Sequence, residues 1–209
     1  NKGLTDEVGT AKLYNSSLYE YLWLFRADAE GIPHLNHMSW SELLMSGVTT
    51  LVDLSFPSEG WIDRAANSGL RLVLAPMYRN GRWLTRNGYT VEYELDDAAG
   101  RKAMEAALAV VDEAVKHPSG RLSGLVCPAQ IDTCSEELIR ASIAAAKKRG
   151  LPIQIHAAQS ISEFHEMVRR TGLTAVQWLD KLGFLGPNAS IGHGIFLDHH
   201  PWVRWPSRT

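Results

Sequence analysis

Three helix-like stretches of this sequence end in the same way, with a glycine placed just before an aliphatic run. They are Ser46-Gly47-Val48, Ser68-Gly69-Leu70 and Arg149-Gly150-Leu151. Glycine takes the left-handed position after a helix C-terminus at little cost, so each triplet reads as helix, stop, strand. The runs Val48–Leu54, Arg71–Met77, Leu122–Cys127, Pro152–Ala158 and Ala189–Leu197 are rich in β-branched or aliphatic residues. Several are nearly continuous rather than alternating, as in strands buried on both faces of a parallel sheet. Repetition of the unit predicts successive βα units with right-handed crossovers.

The helix starts are marked as well. Ser39-Trp40-Ser41-Glu42 and Ser160-Ile161-Ser162-Glu163 both fit a capping box, in which Ser and Glu satisfy orphan N–H groups reciprocally. Ser135 followed by Glu136 and Glu137 predicts a third N-cap, with Leu138, Ala141 and Ala145, and Ile139 nearby, forming an apolar stripe. The connection from Tyr78 to Asp97 has no clear period and reads as a long loop carrying Arg79, Trp83, Arg86, Tyr89 and Tyr93. Loops of that length serve as lids or pocket walls, or pack on the exterior, and the sequence leaves both open. Residues 1–209 show no domain boundary and are read as one unit. Periodicity alone does not separate a closed barrel from an open doubly wound sheet. The lack of a Gly-rich phosphate loop after any strand weighs against a nucleotide-binding sheet.

Composition narrows the partners. A formal net charge of −2 offers no basic field for nucleic acid or an anionic membrane. No apolar run approaches the length of a membrane span. The two cysteines, Cys127 and Cys134, match no zinc or redox spacing, which excludes a disulfide scaffold and fits a cytoplasmic location.

Chemistry points to two of the eight histidines. His34, His37, His117 and His165 read as loop or helix-surface residues. His199 and His200 read as local polar contacts. His156 and His193 instead lie toward the C-terminal ends of apolar strands, Ile153-Gln154-Ile155-His156 and Ser190-Ile191-Gly192-His193. Parallel α/β folds build their sites at that edge, and imidazole serves as metal ligand and as acid–base group. Gly192 and Gly194 leave room beside His193. The residues alone also allow a pair of core histidines satisfied by backbone groups.

Three stretches together resemble the cytosine-deaminase and triazine-chlorohydrolase branch of the amidohydrolase superfamily. They are Glu42 through Asp53, Ile155-His156-Ala157-Ala158-Gln159, and Trp178 through Pro187 on to Gly192-His193-Gly194 and Asp198. Their order and spacing are similar to the second, fifth and sixth strands of that barrel. The resemblance implies a (β/α)8 TIM-type barrel, represented by approximately strands 2 to 6. It implies one divalent ion, Zn or Fe, bound by His156, with His193 beside the metal-bound water. The family's first-strand His-x-His pair and eighth-strand aspartate are not in this stretch, which is read as the central part of a longer barrel. Gln159 stands where most relatives carry the proton-shuttling Glu. An amide cannot ionise and can only orient by hydrogen bonding. The implied activity is hydrolysis of a C–N bond, amino or amide-like, in a small heterocyclic substrate, with His193 and Gln159 in catalytic roles. The alternatives are removal of a non-amine leaving group such as halide, or a decayed barrel that only binds. A homo-oligomer is left open.

Overall fold

The computed structural model describes residues 28–84, 86 and 91–198. Helix α1 is Gly31–Met45, followed by strand β1 (Thr50–Asp53), α2 (Trp61–Asn67), β2 (Arg71–Leu74) and β3 (Met77–Tyr78). A hairpin of β4 (Gly81–Leu84) and β5 (Glu92–Leu95) precedes α3 (Asp97–Val115). Then come β6 (Leu122–Gly124), β7 (Cys127–Pro128), α4 (Glu136–Arg149), β8 (Ile153–Ala157), α5 (Ile161–Thr171), α6 (Ala175–Lys181) and β9 (Ala189–His193).

All the pairings outside the hairpin are parallel. β1 pairs with β2, Thr50 opposite Arg71, and β2 pairs with β6, Leu72 opposite Leu122. β3 pairs with β7, and β8 with β9, where His156 stands opposite Gly192. Single parallel bridges, Val126 to Ile153 and Gln130 to His156, join β6–β7 to β8. The strands therefore stand side by side in chain order, each neighbour reached through a helical crossover. That order, with helices on one face, is an arc of βα units. The arc is open: among the described residues, β1 and β9 each have a strand on one side only.

Alternation along the strands sorts the two faces. Leu72 and Leu74 of β2 pack with Trp61, Ala65 and Ala66 of α2, on the helix side. Val73, Ala75 and Met77 join Leu54, Leu125 and Cys127 in a separate cluster on the other face. In β8, Ile153, Ile155 and Ala157 enter the main core with Leu138 and Ile139 of α4, Met167 of α5 and Leu179 of α6. Gln154 and His156 consequently project from the opposite face.

The glycine stops hold: Gly47, Gly69 and Gly150 all have positive φ. Ser135 caps α4 by accepting from the Leu138 N–H. Three expectations change. The capping box at Ser39–Glu42 does not exist, because α1 starts at Gly31, beyond Asp28, whose carboxylate accepts the Gly31 N–H at 2.6 Å. Pro33 sits in the first turn of α1, where its missing N–H is not needed, and Ser39 is mid-helix. The strand expected through Leu197 ends at His193, because His193 and Gly194 both turn left-handed. The segment read as an irregular loop is the β4–β5 hairpin, with Trp83 opposite Tyr93. His199 and His200 lie outside the described residues. No described helix is long and apolar enough to cross a membrane.

Candidate active site at the ends of β8 and β9

The sheet register brings His156 and His193 together. Their ring centroids are 5.3 Å apart. The His156 ring is anchored at one end: Nδ1 lies 2.7 Å from the Ala129 carbonyl oxygen, which also accepts the His156 backbone N–H. A carbonyl can only accept, so Nδ1 is the donor, and the tautomer that fits leaves the lone pair at Nε2. Metal-ligating histidines are oriented by such a bond. Gly192 is required by this packing. A Cβ there would lie 2.8 Å from His156 Cδ2, inside any carbon–carbon contact.

His193 is exposed and has φ 71°, a left-handed value that a non-glycine residue adopts at a cost. Partial burial, and then the neighbouring His156, lower its pKa. The His193 ring is thus biased toward the neutral form, able to accept a proton.

Gln159 follows β8 through a second left-handed residue, Ala158, at φ 56°. Its Nε2 is buried and has no hydrogen-bond partner. An orphan donor of this kind costs about 1–3 kcal/mol unless something accepts from it.

Glu163 of α5 was legible only as half of a capping box. Ser160 does cap α5 by accepting the Glu163 N–H at 3.1 Å. The Glu163 carboxylate, however, accepts from Ala158 N at 2.5 Å and from Gln159 N at 3.3 Å. It has no solvent exposure. Burial and then the charge of Asp132 raise its pKa, opposed by the Gln159 and Ala158 N–H groups.

Asp132, in the loop after β7, escaped the sequence reading altogether. It is fully buried, and its Oδ2 accepts from Trp83 Nε1 and Tyr93 Oη, each at 2.8 Å. The hairpin is thereby docked against that loop and against α5, where the Arg170 guanidinium stacks on Tyr93 at 4.3 Å. Desolvation raises the Asp132 pKa despite these donors.

The free Nε2 of His156 suits a zinc- or iron-like ion, and His193 can supply or orient a further ligand. Among the described residues no three His, Cys, Asp or Glu side chains converge on a metal position. Structural and catalytic zinc sites use three or more protein ligands, so the residues described here fit part of a metal site. Cys127 and Cys134 are buried free thiols, raised to about 12 by burial, and take no part. His34, His37, His117 and His165 are likewise elsewhere; His117 bonds Ser119 and faces Asp63, and His165 packs edge-on to Phe164.

Comparison with known proteins bears on the family and the fold. The model of the family described as "Amidohydrolase family" matches residues 36–208. A 5-methylthioadenosine/S-adenosylhomocysteine deaminase 2 of Archaeoglobus fulgidus is 26% identical over 172 residues, which are 82% of this chain and 38% of that protein. Among solved structures, the zinc complex of an atrazine chlorohydrolase from Arthrobacter aurescens TC1 superposes with a TM-score of 0.64 at 16% identity. It covers 91% of this chain and 45% of that one. A guanine deaminase from C. acetobutylicum with bound guanine gives 0.64 at 14% identity, over 82% of this chain and 40% of that one. The chain thus spans less than half the length of these relatives.

Proposed function

The chain belongs to the amidohydrolase family, and on that premise we propose that it forms the second to sixth strands of a (β/α)8 barrel catalysing metal-dependent hydrolysis. The reaction class is cleavage of a C–N bond in a small heterocyclic substrate, the chemistry named for the methylthioadenosine and guanine deaminases it resembles. The observation that carries the reading is the His156 ring, fixed through Nδ1 to Ala129 with Nε2 free, 5.3 Å from His193.

His156 Nε2 is the proposed metal ligand, with zinc or iron as the ion. Further ligands must come from outside the described residues. Such an ion, when bound, would lower the pKa of a water to about 7 and make it nucleophilic near neutrality. His193, 5.3 Å from His156, would accept a hydrogen bond from the nucleophile and hold its orientation. Gln159 contributes a hydrogen-bond donor at Nε2 and no proton transfer. Loss of a general acid–base costs about 10²–10⁴ in rate, so either His193 carries the proton or the leaving group departs without one.

The buried, unpartnered Gln159 amide favours a second reading for that one step: a leaving group such as halide, which accepts a hydrogen bond and needs no proton. The experiment is turnover by the full chain, loaded with zinc or iron, on matched amino- and chloro-substituted purines and triazines. Chelator-sensitive release of ammonia supports the C–N reading, and release of chloride alone supports the second. No product from any of them, with metal bound, would leave only a binding role.

A further inference from the structure

The turn leaving β8 is gripped from two sides. On one side the Ala158 carbonyl accepts from Ile195 N and Phe196 N, both at 2.9 Å, as the chain leaves β9. On the other, the two carboxylate oxygens of Glu163 each take one backbone N–H, Oε1 that of Ala158 and Oε2 that of Gln159. The turn needs holding, because Ala158 is a non-glycine residue at φ 56°. Left-handed backbone at such a residue costs about 1–3 kcal/mol and persists only where its surroundings impose it.

A glutamate at the third position of a helix ordinarily turns back to the helix start. Glu163 reaches past that start, to N–H groups that precede the Ser160 cap and belong to the strand exit. Burying a carboxyl group is costly unless it is hydrogen-bonded, and each Glu163 oxygen accepts one backbone N–H. The Glu163 side chain is therefore committed to the geometry of residues 158 and 159.

We propose that Glu163 is a positioning residue for the active site: its carboxylate sets the Ala158–Gln159 turn, and through it the direction of the buried Gln159 side-chain amide. This rests on the assignment of His156 and Gln159 to a hydrolase site. Glu163 touches no reacting atom in this scheme. Its effect passes entirely through two backbone N–H groups, so a neutral isostere fails in a specific way. In Glu163→Gln one side-chain atom becomes a donor, and a donor facing an N–H cannot bond it.

The test uses backbone amide resonances of the full chain, selectively labelled at Ala and Gln. In the wild type, the Ala158 and Gln159 amide protons are expected far downfield and slow to exchange. In Glu163→Gln at least one moves upfield and exchanges about tenfold faster or more, while amides of β6 stay in place. kcat on the best substrate falls about 10²-fold, the scale of a small misplacement, with KM little changed. Glu163→Asp, charged but too short, is expected to lose the longer Gln159 bond first. Unperturbed Ala158 and Gln159 amides in a folded Glu163→Gln protein would overturn the proposal. So would wild-type amides that exchange freely, a readout that requires no folded variant. A wild type without turnover but with the expected amides counts against the hydrolase reading and leaves the positioning intact.

Discussion

Gly192→Ala tests the packing that orients His156. The added Cβ would stand 2.8 Å from His156 Cδ2, 3.4 Å from Cγ and 3.5 Å from Nε2. Carbon atoms attract best at about 3.5–4.0 Å, so the ring must retreat by about 0.7–1.2 Å, or β9 must shift by as much. The ring is held by a 2.7 Å bond to the Ala129 oxygen, and β9 by a five-residue parallel register. Gly192 and Ala129 flank His156 on opposite sides, so a retreat of that size drives the ring toward the Ala129 oxygen, already at 2.7 Å, and the Nδ1 bond must be bent or given up. Overpacking of this kind costs about 1–3 kcal/mol of stability. Loss of the orienting bond lowers metal affinity about 10–100-fold. The assay is competition for zinc with a chelating dye, alongside urea unfolding, in the full chain. Gly186→Ala is the control, since a Cβ there meets nothing within 4 Å. If Gly192→Ala matches wild type in both affinity and stability, the ring does not sit against Gly192 and the account of His156 fails.

The remaining predictions concern the Gln159 carboxamide and the buried Asp132 that docks the hairpin. Gln159→Glu is expected to raise turnover of an aminated heterocycle and to add an acidic limb to the pH–rate profile, because the new carboxylate works only when ionised. An unchanged profile at matched metal content would place Gln159 outside the site. Asp132→Ala breaks the bonds to Trp83 and Tyr93 and is expected to cost about 1–3 kcal/mol, with faster proteolysis of the hairpin. Asp132→Asn keeps an acceptor for both donors and retains the docking. Asp132 and Glu163 both hold their protons more tightly folded than unfolded. Their contribution is full below the ordinary values of 3.8 and 4.5 and falls as pH rises through the raised folded values. Asp132→Asn should therefore flatten the loss of stability as pH rises above 3.8; an unchanged slope, measured by urea unfolding, refutes the shift.

The arc was legible in the sequence because its signals are local. Aliphatic runs buried on both faces, and glycines at helix ends, mark βα units without reference to anything distant. His156 and His193 stood out for the same reason, each a lone imidazole closing an apolar strand. The hairpin was not legible: Gly81–Leu84 and Glu92–Leu95 are short and charged, and they are held by Asp132, 49 and 39 residues away from Trp83 and Tyr93. Asp132 itself carries no motif, so nothing in Ile131-Asp132-Thr133 announces a buried acceptor. Ser160-x-x-Glu163 was recognised as a helix start, yet the pattern does not say where the Glu carboxylate points. That depends on the left-handed turn at Ala158, a backbone choice set by tertiary contacts. The false start at Ser39 has a related cause, since a Ser-x-x-Glu pattern looks the same inside a helix as at its beginning.

Metal occupancy of the full chain tests the account most directly. Crystals grown with zinc, measured on both sides of the zinc edge, should show one strong anomalous peak about 2.0–2.1 Å from His156 Nε2. Elemental analysis of His156→Ala, folded and purified in the same way, should then show the metal lost. Full metal stoichiometry in His156→Ala, or a peak placed away from the His156 ring, would contradict the assignment and the hydrolytic mechanism built on it.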